Sequence, residues 1–292
     1  MVVPRPYQKE GIDIGYDFLT DKGGKRGGLQ VHPTGSGKSL IIAGVAMKLN
    51  EPLLVFQPSV EILWQNYHKL RACGYGHAPA VFSAKAGLKQ IAPITFATIG
   101  SAINNMDLFK QFRYVIIDEA HMVNSEGING DNHDDMSMYS EFISRLNKPK
   151  VMGLTATPYR LASNSMGSEM RFLTRTRDKM FDDLIYYVQR KQLYEQGFLA
   201  KMNYYPMPNG IEPSKMKYNS SGSDYSVDSY RTHTAEIHLP TKIAELTHRM
   251  MNSTKETPRK NMLVFTRFVE EANDVAAMVP GMVVITGKTK PG

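Results

Sequence analysis

Over the first two thirds of the chain, short, largely apolar runs alternate with longer stretches in which apolar residues recur every three or four positions. The runs at 28–32, 53–57, 80–82, 94–98, 114–118 and 151–155 have the length and residue content of strands buried on both faces. The periodic stretches at 9–19, 38–49, 60–72, 107–111 and 140–146 read as helices. Strand followed by helix at this rhythm predicts an α/β fold with a parallel sheet between two helical layers. In such a fold ligands collect at the C-terminal ends of the strands.

Local signals bound these elements. A proline opens the first helix at Pro6, Asn50 and Pro52 close the second, and Ser59 stands at the N-cap of the third. Further on, 181–188 reads as a strand and 190–196 as a short helix stopped by Gly197. The polar run NSSGSDYS at 219–226 reads as a surface loop or linker. A helix at 241–251, a strand at 262–266, a helix at 269–278 and a strand at 282–286 then sketch the start of a second α/β unit. The expected division is a first lobe over 1–205, a linker or loop over 206–235, and the N-terminal part of a second lobe over 236–292. Two strands and two helices enclose too little interior for a core, so the chain is expected to be a fragment of a longer protein.

With 42% hydrophobic and 22% charged residues over 292 positions, the chain is globular rather than disordered. A net charge of +7 favours a polyanionic partner. The one cysteine, Cys73, excludes an internal disulfide and any thiolate-rich metal site. The 18 methionines are scattered, as adaptable core packing would have them. No apolar run approaches the roughly 20 residues that cross a bilayer, and the N-terminus does not read as a signal peptide. An intracellular, cytoplasmic protein without a membrane partner is expected, in the bacterial host cytoplasm if phage-encoded.

Two further stretches invite chemistry. Asp131, His133, Asp134 and Asp135 lie in a polar run at 124–138, but their spacing fits no calcium loop, so a solvated loop is expected. Arg171, Arg175, Arg177 and Lys179 form a basic stretch that reads as an ordinary charged face or as a nucleic-acid contact.

The strongest chemical signal is VHPTGSGKS at 31–39, an apolar strand end, a glycine-rich turn and then a helix. Small residues at Gly35, Ser36 and Gly37 let backbone N–H groups converge on a phosphate, and the free N-terminus of the following helix adds to that cradle. Lys38 supplies a positive charge for the β and γ phosphates, and the Ser39 hydroxyl is placed for magnesium. Asp118, Glu119, Ala120 and His121 follow the apolar run YVII at 114–117. Asp118 is suited to hold magnesium through a water, and Glu119 to orient and deprotonate an attacking water. A nucleoside-triphosphate hydrolase with ATP and Mg2+ is the expected chemistry.

Taken together these segments resemble superfamily 2 helicases and translocases of the DEAD/DEAH type. The loop at 32–39 resembles their motif I, DEAH at 118–121 motif II, and GLTATPYR at 153–160 motif III. RPYQ at 5–8 resembles the segment that packs around adenine, LLVFQPS at 53–59 motif Ia, ATIGS at 97–101 motif Ib, and LVFTR at 263–267 motif IV. The resemblance implies a RecA-like P-loop NTPase sheet followed by the start of a second RecA-like lobe. It implies Lys38, Asp118, Glu119 and His121 as catalytic residues, His121 coupling the two sites rather than acting as a base. Arg5, Tyr7, Gln8 and Thr34 would join Gly35, Ser36, Gly37, Lys38 and Ser39 around the nucleotide, Gln8 reading the base edge. Pro58, Ser59, Thr98 and Ser101 would border a nucleic-acid groove, and Thr155 and Thr157 would connect it to the nucleotide.

Two departures qualify the match. His32 stands where motif I commonly begins with glycine or alanine, and nothing after Gly287 resembles motifs V or VI. Motif VI brings an arginine to the γ phosphate, so slow turnover by residues 1–292 is expected. The 181–188 and 193–200 segments resemble the bacterial and phage DNA-directed branch, with its excision-repair and restriction-type helicases. DNA is therefore the expected polymer, with nuclease or replication and repair proteins as further partners. An RNA helicase, the motor of a restriction-type nuclease complex and an ATP-binding nucleic-acid clamp are the alternatives.

Overall fold

The computed structural model describes residues 3–123, 138–164, 167–176, 179–204, 206, 210–220, 224–252 and 261–289. The acidic run at 131–135 and Arg177 lie outside the described residues. The chain divides into two units: Met1–Ala162 with Glu169–Met202, and Ser163–Ser168 with Asn203–Gly292.

The described residues form ten strands, β1 Gly27–Val31, β2 Leu53–Phe56, β3 Ala80–Ser83, β4 Leu88–Lys89, β5 Ile94–Ala97, β6 Tyr114–Asp118, β7 Lys150–Thr155, β8 Tyr159–Asn164, β9 Gly167–Phe172 and β10 Asp183–Tyr187, and all but β8 and β9 lie wholly in the first unit. Eight of them form one sheet in the order β10-β1-β7-β6-β2-β5-β3-β4, and β8 pairs with β9 separately. Every neighbour in the large sheet runs parallel except β4, which is antiparallel to β3. This is a mostly parallel RecA-like sheet. The strands at its centre are buried along nearly their whole length, which explains why they read as largely apolar runs, with Gln30, Thr95 and Asp118 as buried polar exceptions.

Helices α1 Pro6–Thr20, α2 Lys38–Leu49 and α3 Val60–Ala72 cover one face. There Ile12, Leu19, Ile41, Val45, Leu63 and Leu70 pack on Leu53, Val55, Ile116 and Met152. On the other face lie α4 Ile99–Ala102, a 3₁₀ turn Ile103–Phe109 and α5 Met138–Arg145. Phe109, Phe112 and Phe142 pack there on Leu54, Phe56, Val115 and Ile117. The alternation of side chains along each strand sends one set to each layer. A short helix, α6 Arg190–Glu195, follows β10.

The second unit holds α7 Val227–Glu236, α8 Leu239–Met251 and α9 Val269–Met278. Ala244, Val275 and Val279 form its buried cluster. The strands expected at 262–266 and 282–286 are not formed: both segments lack ladder partners, and Leu263, Phe265, Val283 and Ile285 are 76–89% exposed. A strand needs a neighbour to satisfy its N–H and C=O groups, and apolar alternation alone does not supply one. Helix α7 falls inside the stretch read as a linker, and among the described residues of 203–289 the only β pairing is the bridge of Tyr218 with Tyr225.

Candidate functional site

The C-terminal ends of β1, β7, β6 and β2 are neighbours, so the residues that follow them meet on one edge. After β1 the chain turns through Gly35 at φ +81° and Gly37 at φ +85° into α2. A Cβ on Gly37 would stand 2.6 Å from the Gln8 amide nitrogen, so only glycine fits there as the structure stands. Gly37 caps α2 with no side-chain hydrogen bond, and the first turn of the helix carries no acidic residue. Its N–H groups and the positive end of its dipole are left to an anion. Thr34, Gly35 and Gly37 are exposed, Lys38 and Ser39 half-buried, and Ser36 buried.

Helix α1 holds this loop from behind. The Tyr7 hydroxyl and the Gln8 amide both donate to the Ser36 carbonyl at 2.7 Å. Gln8 also accepts from the Arg5 N–H at 2.8 Å, and Tyr7 and Gln8 are 3% and 5% exposed. Both polar ends of Gln8 are therefore engaged within the protein. Arg5 lies at the surface, donating to the Phe198 carbonyl at 3.2 Å with its guanidinium 4.9 Å from the Phe198 ring. Beneath the loop a buried relay runs from the Gly11 carbonyl through Gln30 to His32 Nε2, at 2.9 and 2.8 Å. Burial, with Lys38 nearby, lowers the His32 pKa from 6.5 to about 4, so this ring is neutral at pH 7.

From the end of β6, Glu119 reaches the loop: its carboxylate is 3.1 Å from Lys38 Nζ and 3.3 Å from His121 Nδ1. Glu119 holds a left-handed backbone at φ 49° and ψ 50°, a conformation rare for a residue with a Cβ and often retained where a site requires it. His121 Nδ1 is 2.9 Å from the Thr155 hydroxyl, which accepts from the Thr157 N–H and donates to the Thr157 carbonyl, both at 3.0 Å. Lys38, Glu119, His121, Thr155 and Thr157 thus form one continuous polar chain.

Asp118 is 4% exposed. Its carboxylate accepts from the Asn66 side-chain amide at 2.9 Å and from the Glu119 N–H at 3.0 Å. Burial, then the charge of Glu119, raises its pKa from 3.8 to about 6. A buried carboxylate beside a second one lacks compensation that a cation would give. Among the described residues no cluster of three or more His, Cys, Asp or Glu could hold a metal by itself. Magnesium, however, is ordinarily held by one or two carboxylates together with the phosphates of a nucleotide.

The expected groove residues gather at the ends of β3 and β5 and the start of α3. The Thr98 hydroxyl oxygen is 3.2 Å from that of Ser83 and 3.1 Å from that of Ser101, while Ser101 accepts from the Ala84 N–H at 2.9 Å. Ser59 caps α3 by accepting from the Ile62 N–H at 3.4 Å, and Pro58 beside it is half-buried. Of the basic stretch, Arg175 lies over the Phe172 ring at 5.7 Å and Lys179 donates to the Thr174 carbonyl at 3.3 Å. Sequence reading passed over Asn66, Gln30 and Ser83. Asn66 left a legible sign, because an amide stands between Leu63 and Leu70 on the apolar stripe of α3.

Comparison with known proteins adds a family. Residues 1–160, more than half of the chain, match the family described as "Type III restriction enzyme, res subunit". No protein of curated function matches. Among solved structures, T4 UvsW is 21% identical with a TM-score of 0.42, over 53% of this chain and 30% of that one. A nuclease-deletion mutant of the Type ISP restriction-modification enzyme LlaGI, in complex with a DNA substrate mimic, is 15% identical with a TM-score of 0.44, over 68% and 21%. The Hef helicase domain of Pyrococcus furiosus is 21% identical with a TM-score of 0.40, over 53% and 33%. The chain thus spans a third or less of each of these solved chains. No helix among the described residues is long and apolar enough to cross a membrane. The match over residues 1–160 makes this chain a member of the family described as Type III restriction enzyme, res subunit, within the superfamily 2 helicase-like proteins.

Proposed function

We propose that the chain carries the nucleotide site of an ATP-dependent DNA helicase or translocase. The observation that carries the reading is the Lys38 ammonium 3.1 Å from the Glu119 carboxylate, at the uncapped N-terminus of α2. The residues present fit a magnesium nucleotide: an open anion cradle lies opposite a buried carboxylate short of positive charge. When bound, magnesium ATP supplies the phosphoryl group and the cation that balances Asp118.

The remaining roles belong to the chain. The N–H groups around Gly35, Gly37 and Lys38 hold phosphate oxygens, and Lys38 exchanges its Glu119 partner for them. Ser39, and Asp118 through a water, would hold magnesium, with Thr34 at the open side of the loop. Glu119, released from Lys38, orients a water and takes its proton. Tyr7 and Gln8 fix the loop through Ser36, while Arg5 flanks the base. His121, Thr155 and Thr157 link that end of the site to Pro58, Ser59, Thr98 and Ser101, which contact the polymer backbone without reading sequence. The net charge of +7 favours such a partner.

Steady-state ATP turnover with Mg2+, measured alone and with single-stranded DNA, duplex DNA or RNA, tests this reading. DNA stimulation exceeding RNA stimulation is expected. Stimulation by RNA alone transfers the assignment to an RNA helicase, and a protein that ignores magnesium ATP sinks the motor reading.

A further inference from the structure

Asn66 sits near the middle of α3, 1% exposed, and its amide nitrogen lies 2.9 Å from Asp118 Oδ2. The contact joins helix to strand end across 52 positions of sequence, so it is part of the tertiary fold rather than of a turn. A helix position packed between Leu63 and Leu70 is ordinarily apolar. Here the fold accepts an amide whose other end, Oδ1, is buried without a partner among the described residues. Such an atom is costly to bury, and packing alone gives no reason to keep it. The orientation follows from chemistry, because an ionised carboxylate only accepts and the NH2 end of Asn66 must face Asp118.

The bond also restricts Asp118. The Glu119 N–H is on Oδ1 and the Asn66 amide on Oδ2, so both carboxylate oxygens are engaged and rotation of the group is blocked. The remaining lone pairs point in fixed directions. Outer partners of this kind orient a metal-binding carboxylate, and their removal typically weakens metal affinity by about 10–100-fold. Asn66 shares its helix with Ser59, the N-cap residue. Seven residues along a helix correspond to two turns, about 10 Å on nearly the same face, so α3 moves the two as one body.

We infer that Asn66 is the positioning residue that fixes Asp118 for the divalent cation and makes its aim depend on where α3 stands. This rests on the nucleotide reading given above, in which Asp118 holds magnesium.

The test compares the wild-type chain with Asn66→Leu, which keeps the branching of the side chain and removes the amide, and with Asn66→Ala. Mn2+ binding in the presence of a non-hydrolysable ATP analogue is followed by electron paramagnetic resonance. Binding of the analogue without metal is followed by fluorescence, and thermal melting checks folding. Mn2+ affinity is expected to fall about tenfold or more in both variants, with metal-free nucleotide affinity unchanged. Single-stranded DNA is expected to tighten Mn2+ binding in the wild type and not in Asn66→Leu. Folded variants with wild-type Mn2+ affinity overturn the assignment, as does an equal loss of metal-dependent and metal-free binding. A DNA effect of equal size in wild type and variants overturns the dependence on α3. If the wild type itself binds no Mn2+ with the analogue, the nucleotide reading fails before Asn66 is at issue.

Discussion

Lys38 and Glu119, brought together from the start of α2 and the end of β6, share an ion pair at 3.1 Å while half-shielded from solvent. The pair holds both side chains at the mouth of the loop, and each is needed elsewhere once a phosphate arrives. Glu119→Gln is expected to lower ATP turnover by a hundredfold or more, on the order of a general-base loss, and to leave nucleotide binding intact. Lys38→Ala is expected to weaken binding itself. Turnover and equilibrium binding of the analogue separate the two, and unchanged turnover in Glu119→Gln removes its role as base.

Two buried groups act oppositely on stability in acid. The folded pKa of Asp118 is raised to about 6, by burial and then by Glu119, against the partial relief of Asn66 and Lys38. Its contribution is complete below pH 3.8 and is lost as pH rises through about 6. An ionised Asp118 at neutral pH therefore costs up to about 3 kcal/mol. His32 has its pKa lowered to about 4, so its contribution is present above 6.5 and lost as pH falls through about 4. Asp118→Asn is expected to be more stable than wild type at pH 7 and to lose stability more steeply on acidification to pH 4. Urea midpoints across that range check both signs, and a variant less stable at pH 7 contradicts the cost assigned to Asp118.

Gly37→Ala tests the loop geometry. At φ +85° a Cβ is strained, and the Gln8 amide 2.6 Å away must withdraw from the Ser36 carbonyl to make room. A loss of about 1–2 kcal/mol is expected from the backbone alone, together with a large loss of nucleotide affinity. Gln8→Ala in the same background should recover little of it, because the backbone strain remains. Thermal melting and analogue binding of the single and double variants decide this.

Phe142 anchors the opposite layer. Fully buried, it meets Phe56 edge-on at 5.1 Å and Phe109 at 5.4 Å. Phe142→Ala is expected to cost about 3–5 kcal/mol. Its denaturation midpoint gives the measure.

What could be read from the sequence follows from what each signal requires. The central strands announced themselves because burial on both faces leaves nothing polar in 53–56 and only the buried Thr95 in 94–97. The loop at 32–39 was visible because its turns demand glycine at Gly35 and Gly37. β4 is two residues long, too short to carry a period, and the β8–β9 pair follows a proline in polar sequence. The segments 262–266 and 282–286 carry strand alternation, yet pairing depends on neighbours that local sequence does not specify. Within the site, carboxylates and lysine stood out by type. Asn66 required asking why an amide occupies an apolar stripe, and the engagement of Gln8 with Ser36 depends on how α1 packs.

Leu263, Phe265, Val283 and Ile285 give the second unit two short apolar segments in which every other side chain faces water and whose backbones are unladdered. Such segments template pairing between molecules, so concentrated samples of this chain will drift toward oligomers and precipitate. Light scattering against concentration should show that drift, and Phe265→Lys with Ile285→Lys should suppress it. Sample handling, and every concentration-dependent reading of turnover, has to take that stickiness into account.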